Sequence, residues 1–253
     1  MTQMEKGIAL KQYYKTREGV EEYSSATGGF ILEAAELVCA VLGEWVRPQR
    51  ALDVGCARGE LVSAWRRRGV EAYGVDISDY AVSHPEEARI AEYLHVVDVE
   101  CERLPFDDDS FDVATIREVL EHLGQSSFLL GELRRVVKDN GFVFMTTPVL
   151  PFETRLWRAL GIQSDPLHIN VHSKRFWVRS FDKHGFTCTS DLRSYIRQVN
   201  TSIVPADCPV QHWALRLLGT RLGKLGKKAR IKLKCLIHAA LLFQNRKGGI
   251  GSY

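Results

Sequence analysis

The feature that most constrains this chain is a glycine-rich turn between a short apolar run and a helical pattern. The run Arg50 to Val54 leads into the turn Gly55-Cys-Ala-Arg-Gly59, and a helix is predicted from Glu60 to Arg68. Glycines let a ligand approach the backbone closely, and a helix N-terminus presents unpaired N–H groups to it. This pattern predicts a ligand site at the carboxyl end of a strand in an α/β fold, with a purely structural turn as the alternative.

Further strand patterns alternate with helical patterns after this turn. Strands are predicted at 70–75, 94–97, 111–116 and 141–147, and helices at 125–138 and 174–183. Because strands that alternate with helices form parallel sheets with right-handed crossovers, the chain is predicted to be a doubly wound α/β protein. A less regular strand is predicted over 186–195.

The same patterns divide the chain into three segments. Residues 1–48 are predicted to form an N-terminal helical cap, 49–200 the α/β core, and 201–253 a basic, amphipathic C-terminal segment. Residues 241–245 are compatible with a last strand of the sheet or with the end of a helix, because periodicity does not separate the two.

Composition excludes several classes of protein. The 253 residues contain no run of about 20 apolar residues of the kind that spans a bilayer. Residues 1–15 lack the apolar stretch and the small-residue cleavage site of a secretory signal. The six cysteines are scattered without a C-x-x-C pair, which argues against a zinc site or a disulfide framework. We therefore expect a cytoplasmic protein in a reducing setting.

Two acidic residues follow predicted strands at positions suited to a nucleoside. Asp76 comes 21 residues after Gly55, where a carboxylate can accept hydrogen bonds from both ribose hydroxyls. Asp98 follows the next strand, where a carboxylate can meet an exocyclic amine. The alternatives are a solvated loop carboxylate for Asp76 and a turn cap for Asp98. Glu60 replaces the last glycine of the dinucleotide motif G-x-G-x-x-G, which counts against NAD or FAD.

A further motif completes a recognisable series. Residues 104–112 read L-P-F-D-D-D-S-F-D, and residues 117–123 read R-E-V-L-E-H-L. Over residues 28–190 the chain resembles the class I S-adenosylmethionine-dependent methyltransferases, in the branch that contains ubiquinone-biosynthesis-type and other small-molecule enzymes. The resemblance implies a mostly parallel, seven-stranded, Rossmann-like sheet and S-adenosylmethionine as cofactor. It also implies methyl transfer to a hydroxyl or a carbon of a small-molecule or lipid-linked acceptor.

The resemblance also implies which residues hold the cofactor. The residues expected at its methionine end are Asp53, Gly55, Cys56, Ala57 and Gly59, with Arg117 and Glu118 near the sulfonium. The residues expected at its nucleoside are Asp76 at the ribose, Ile77 on the adenine face, and Asp98 and Val99 at the adenine edge. Ala57 departs from the family's middle glycine, and we expect binding to survive this small change.

Histidines are the candidates for proton transfer from a hydroxyl acceptor. His122 follows the fourth strand and can serve as general base, although a structural histidine at a helix start is equally compatible. His168 is a candidate substrate-pocket residue, with a structural turn role as the alternative. His168 and His172 have metal-ligand spacing only on a helix, which Pro166 disfavours, and no third ligand is evident. No metal is therefore predicted.

The charge of the chain is unevenly distributed. All acidic residues lie at or before Asp207, so the first 207 residues carry a net charge of −7 and the remainder carries +10. Residues 211–243 combine basic with aliphatic side chains. Three interpretations stay open: a solvated helix packed on the domain, peripheral contact with the inner face of an anionic membrane, or nucleic-acid binding. The third is the least favoured, because aromatic residues are few and no RNA-binding module is visible.

Two other functions compete with small-molecule methylation. An RNA methyltransferase acting on ribose or uridine could use the basic segment, although base N-methylation is disfavoured because Arg117–Leu120 replaces the N/D-P-P-Y/F motif. A non-catalytic protein that binds S-adenosylmethionine is the second alternative.

Overall fold

A computed structural model describes residue 16 and residues 29–149, 168–192 and 238–247. The helices are α1 Gly29–Trp45, α2 Glu60–Arg67, α3 Asp79–Ser83, α4 Ser127–Val136 and α5 Lys174–Lys183. The strands are β1 Arg50–Val54, β2 Glu71–Asp76, β3 Leu94–Val96, β4 Phe111–Arg117, β5 Val137–Pro148, β6 Phe186–Asp191 and β7 His238–Asn245. Short 3₁₀ turns occupy Ala88–Tyr93 and Leu120–His122.

The strands form one seven-stranded sheet in the order β3-β2-β1-β4-β5-β7-β6. The strands β1 to β5 pair in parallel, whereas β7 runs antiparallel to both β5 and β6. The prediction of a doubly wound, mostly parallel sheet is therefore confirmed. The strand order reverses between β1 and β4, and in such sheets ligands bind in the crevice outside the carboxyl ends of the strands at this point.

Two core clusters cover the two faces of the sheet. Along β1, Leu52 and Val54 point to the face that α4 and α5 cover, whereas Ala51 points to the face that α1 and α2 cover. Helix α1 buries Val38 and Leu42 in the second cluster. Complete burial of a large aliphatic side chain contributes about 1.5–3 kcal/mol to stability, so these faces fix the packing of the helices. Residues 1–15 and 17–28 of the predicted N-terminal cap lie outside the described residues.

The boundary between α4 and β5 differs from the prediction. The helix predicted over 125–138 ends at Val136, and β5 begins at Val137 instead of Gly141. Val137 pairs with Phe111, and the register then shifts before Val113 pairs with Phe142. The β-branched pair at 136–137 favours an extended backbone, and pairing with β4 decides the boundary.

The last strand, β7, begins three residues before the segment 241–245 in which the sequence predicted a strand or a helix end. Strand β7 lies between β5 and β6, and alternate side chains reach opposite faces of the sheet. On one face Phe243 stacks on Phe181 of α5, with ring centroids 4.0 Å apart, while Leu242 joins the cluster on the other face. Burial on both faces explains why the run shows no strand-like alternation.

This placement corrects one expectation for the basic segment. Residues 238–243 were predicted to belong to an amphipathic surface segment, but they form most of β7, and Leu241, Leu242 and Phe243 are buried. The sheet therefore removes these three side chains from any surface contact. Residues 211–237 lie outside the described residues. Among the described helices, none is long and apolar enough to cross a membrane.

Candidate active site

The glycine-rich turn bends sharply where β1 meets α2. Gly55, Ala57 and Gly59 all have positive φ angles, of 74°, 48° and 85°. The N–H of Gly55 donates to the Val75 carbonyl of β2 at 2.8 Å, which holds the turn against the neighbouring strand. A Cβ on Gly55 would overlap with Cγ2 of Val119. The turn therefore needs glycine at this position for both its conformation and its contact.

Asp76 lies at the end of β2 and shapes the same turn. Its Oδ2 accepts a hydrogen bond from the Ala57 N–H at 2.8 Å, and its Oδ1 accepts one from the Ser78 N–H at 2.9 Å. Burial raises the pKa of Asp76, and the N–H groups of Ser78 and Ala57 oppose that shift. A carboxylate has about four acceptor positions, so two remain for hydroxyl groups of a ligand. The bond to Ala57 is a second role for Asp76 that sequence spacing does not reveal.

Ala57 takes the left-handed conformation that glycine adopts without strain. A residue with a Cβ pays about 1–2 kcal/mol for this backbone. The hydrogen bond from its N–H to Asp76 offsets part of that cost. The alanine therefore fits the conformation of the turn, and its effect on cofactor binding stays a prediction.

Asp53 and Cys56 turn away from solvent. Asp53 is 2% exposed, and its Oδ1 accepts a hydrogen bond from the Thr115 hydroxyl at 2.6 Å. Its Oδ2 has no hydrogen-bond donor among the described residues. Burial raises the pKa of Asp53, and the charge of Arg117 opposes this. Cys56 is also buried, and burial raises the pKa of its thiol well above the usual value, so the side chain is a packing group.

The ends of β2 and β3 bring the remaining nucleoside candidates together. Asp76 pairs with Val96 across the two strands, and Asp98 follows two residues later. Asp98 Oδ1 accepts a hydrogen bond from the Glu100 N–H at 3.1 Å, which is the turn-cap geometry. Val99 is 8% exposed and belongs to the core, whereas Ile77 is half-buried beside Asp76.

A kink at the end of β4 closes the opposite side of the crevice. Glu118 has a φ of 52°, and its N–H donates to the Thr146 carbonyl of β5 at 3.0 Å. This kink brings Val119 over Gly55. Arg117 lowers the pKa of both Asp53 and Glu60, although burial raises the pKa of each carboxyl overall. Sequence reasoning missed Glu60 as a buried acid beside the turn, and only its place after Gly59 could have indicated it.

A buried carboxyl group lies beside the two candidate histidines. Glu121 is fully buried, and its Oε2 accepts a hydrogen bond from the Thr147 hydroxyl at 2.9 Å. Burial and then the charge of Glu118 raise the pKa of Glu121 well above the usual range. One donor or acceptor atom from each of Glu121, His122 and His168 lies within 4.8 Å of the others. Imidazole and carboxylate groups at this spacing can share a proton or an ion.

The extended segment 168–172 positions His168. The Asn170 N–H donates to the Glu121 carbonyl at 2.9 Å, and Asn170 Nδ2 donates to the Leu120 carbonyl at 3.0 Å. His168 then meets His122 edge to face, with ring centroids 5.0 Å apart. His172 instead contacts Asn170 Oδ1 through Nε2 at 2.7 Å. His168 and His172 therefore make different contacts. The carboxyl group close to both His168 and His122 is that of Glu121, which the sequence spacing does not reveal.

The predicted site residues thus lie along the carboxyl ends of β1 to β4 and in the segment after β5. The glycine turn follows β1, Asp76 ends β2 and Asp98 follows β3, whereas Glu118 and His122 follow β4 and His168 lies beside His122. Asp53, Cys56 and Val99 are buried in the core.

Comparison with known proteins agrees with this arrangement. A methyltransferase domain family matches residues 30–191, and the chain belongs to this family. The ubiquinone biosynthesis O-methyltransferase of Burkholderia vietnamiensis is 28% identical over 152 residues, which cover 57% of this chain and 64% of that protein. The malonyl-[acyl-carrier protein] O-methyltransferase of Pseudescherichia vulneris is 32% identical over 147 residues, which cover 57% of this chain and 55% of that protein. The chain therefore spans less than two thirds of the length of these relatives.

Solved structures share the fold. The YcgJ protein of Bacillus subtilis superposes with a TM-score of 0.54 at 22% identity, covering 84% of this chain and 99% of that chain. A phosphoethanolamine N-methyltransferase of Haemonchus contortus, solved in complex with S-adenosyl-L-methionine, superposes with a TM-score of 0.58 at 16% identity. That match covers 91% of this chain and 57% of that chain.

Proposed function

We propose that this chain is an S-adenosylmethionine-dependent methyltransferase that methylates a hydroxyl group, or a carbon, of a small-molecule or lipid-linked acceptor. The observation that carries the proposal is the set of residues at the carboxyl ends of the strands: the glycine turn after β1, Asp76 at the end of β2, and His122 after β4 in contact with His168. The O-methyltransferases among the relatives support a hydroxyl acceptor. Neither RNA methylation nor a purely non-catalytic role gains support from these relatives.

The residues of the crevice fit the cofactor. Asp53 Oδ2 is a buried acceptor without a donor among the described residues, and an ammonium group is the kind of partner that satisfies it. Asp76 keeps acceptor positions for two ribose hydroxyls. Gly55 and Gly59 have positive φ angles and carry no side chain, so a ligand can approach the backbone at these two positions.

His122 and His168 supply the chemistry that the protein must add. When bound, S-adenosylmethionine supplies a methyl group on a positively charged sulfur, so the chain has to align the acceptor, accept its proton and exclude water. In this proposal His122 accepts the hydroxyl proton and His168 lines the acceptor pocket. The edge-to-face contact of the two imidazoles, with ring centroids 5.0 Å apart, supports this division of roles.

Titration calorimetry with Asp76→Ala tests the cofactor site. We expect the unmodified protein to bind S-adenosylmethionine with a micromolar Kd, and Asp76→Ala to weaken binding by about 5- to 150-fold, because about 1–3 kcal/mol is lost when ribose hydroxyls go unpaired. Asp79→Ala removes an exposed carboxylate from the neighbouring helix and serves as the matched control. Equal affinities of the two variants, or binding of NAD instead of S-adenosylmethionine, would refute the assignment.

We also propose that residues 211–237 dock the enzyme on an anionic membrane surface. The support is the positive charge of residues 208–253. These residues include ten basic ones and no acidic one. Each cation near such a surface contributes about 1 kcal/mol of attraction. A lipid-linked acceptor would then reach the crevice from the membrane.

Vesicle sedimentation tests this docking. We expect binding to vesicles of phosphatidylcholine with phosphatidylserine but not of phosphatidylcholine alone. Binding should disappear in high salt, because the Debye length falls from about 10 Å at 0.1 M to about 3 Å at 1 M. Replacement of Lys227, Lys228 and Lys232 by glutamate should abolish it, whereas the same change at the exposed residues Arg175, Arg179 and Lys183 should not. A protein that ignores the anionic vesicles at low salt would show that the segment is only a solvated surface.

A further inference from the structure

Glu121 is a buried carboxyl group beside His122, and the proposed function gives it no role. We propose that Glu121 is a positioning residue, whose Oε1 accepts a hydrogen bond from the imidazole that has taken the acceptor's proton. This inference rests on the proposed function, because it concerns the same proton. Glu121, His122 and His168 thus form one acid–base unit that accepts the proton of the acceptor.

The hydrogen bonds around Glu121 fix the direction of its free oxygen. The Thr147 hydroxyl of β5 holds Oε2 at 2.9 Å, and Oε1 has no donor among the described residues. Buried polar atoms in folded proteins are nearly always paired, so an unpaired one indicates a partner that arrives during function. The nearest imidazole nitrogens are those of His122 and His168, which lie within 4.8 Å of the carboxyl group.

The main chain around Glu121 holds the histidines in place. Asn170 bonds to the carbonyls of both Leu120 and Glu121, so the segment 168–172 and the 3₁₀ turn move as one unit. His168 therefore keeps a fixed position opposite His122. A carboxyl group that is anchored on both sides can orient an imidazole without reorganising during the reaction.

The proton and the electrons balance in this step. The acceptor O–H bond breaks and its proton moves to His122, while the oxygen forms a bond to the methyl carbon. The bond between that carbon and sulfur breaks, and its electron pair stays on sulfur, which becomes a neutral thioether. The imidazolium then carries an N–H on each ring nitrogen: the new one faces the acceptor oxygen, and the other donates to Oε1 of Glu121. Because this second hydrogen bond strengthens when the ring becomes positively charged, it favours the transition state over the ground state.

Titratable groups from several elements surround this unit. Glu118 lies beside Glu121 on the same loop, His168 faces it from the extended segment, and β5 contributes the uncharged Thr147. His172 lies behind Asn170. Burial and the Glu118 charge raise the pKa of Glu121, so the carboxyl group and the imidazoles titrate as one coupled system.

Histidine titration by NMR tests the proposal without an acceptor. The protein is dialysed against EDTA and titrated with and without S-adenosylhomocysteine, and the ring signals are assigned with His122→Gln and His168→Gln. We expect Glu121→Gln to lower the proton affinity of His122 at least tenfold, because an amide, unlike the carboxyl group, cannot give up a proton when the neighbouring imidazole gains one. Glu121→Asp should restore part of it. Glu132→Gln is the matched control, because the carboxyl group of Glu132 on α4 is hydrogen-bonded to Arg135. It should leave the titration of both histidines unchanged.

Three outcomes would overturn the proposal. Unchanged histidine titration in both Glu121→Gln and Glu121→Asp would show that Glu121 is only a packing group. One equivalent of Zn²⁺ or Mg²⁺ that shifts both ring signals in the unmodified protein, but not in Glu121→Gln, would make the cluster a cation site instead. Equal changes in Glu132→Gln would indicate a general loss of structure. Failure to bind S-adenosylhomocysteine refutes the proposed function separately, because the titration without it still reports on Glu121.

Discussion

Gly55→Ala is expected to abolish measurable binding of S-adenosylmethionine and to lower the free energy of unfolding by about 2–5 kcal/mol. About 1–2 kcal/mol arises because an alanine must adopt a positive φ, and about 1–3 kcal/mol because its Cβ overpacks the site. The added Cβ would overlap with Cγ2 of Val119, which lies on the loop after β4. To relieve this overlap the turn and the loop must separate, which widens the crevice where the cofactor binds. Calorimetry and chemical denaturation measure the two effects.

Two variants separate the overlap from the backbone conformation. Gly69 has a similar φ of 79°, but a Cβ added there meets no atom within 4 Å. Gly69→Ala should therefore cost only about 1–2 kcal/mol and leave cofactor binding unchanged. Combining Gly55→Ala with Val119→Ala should recover part of the affinity, because the obstructing methyl groups are gone. Equal losses for Gly55→Ala and Gly69→Ala, with no recovery in the double variant, would contradict the contact.

His122→Ala is expected to lower kcat by about 10²–10⁴, because a positioned general base contributes a factor of this size. The Kd for S-adenosylhomocysteine should change less than threefold, since His122 lies opposite the nucleoside end of the crevice. Turnover is measured as release of S-adenosylhomocysteine with an acceptor identified by mass spectrometry from a metabolite extract. The test therefore compares a rate and an affinity in the same variant.

His184→Ala is the matched control for this rate. His184 is half-buried at the end of α5, where its ring bonds to the Ser180 carbonyl, and it lies outside the crevice. It should change stability slightly and leave kcat intact. Parallel losses of rate and cofactor affinity in His122→Ala would assign His122 a structural role, as would the same loss of rate in His184→Ala.

Local patterns in the sequence determined the frame of the site. The glycines at 55 and 59 predicted the turn because positive φ angles favour glycine, and Asp76 was placed by its position after a strand. Helix α5 begins and ends where the sequence predicts, because Ser173 caps its first turn and Gly185 follows its end. Such features depend on neighbours within a few residues, so one sequence is enough to identify them.

Tertiary structure decided the roles of individual side chains. From sequence, Asp53 and Asp76 are both acids at strand ends, but Asp53 turns into the sheet toward Thr115 while Asp76 holds the turn at Ala57. The alternation of side chains along a strand predicts that the strand has two faces, but it does not predict which face a helix covers.

Contacts between distant segments are what the sequence alone could not supply. Strand β7 pairs with β5 and β6, and side chains on both of its faces are buried. Such burial removes the alternation of apolar and polar residues by which a strand is recognised in a sequence. Glu121 and His168 belong to segments separated by β5, and Asn170 joins them through backbone hydrogen bonds. The sequence by itself determined the fold class and the edge of the sheet where the cofactor site is proposed. Only packing decided which acid lies beside which histidine, because that choice depends on non-local contacts.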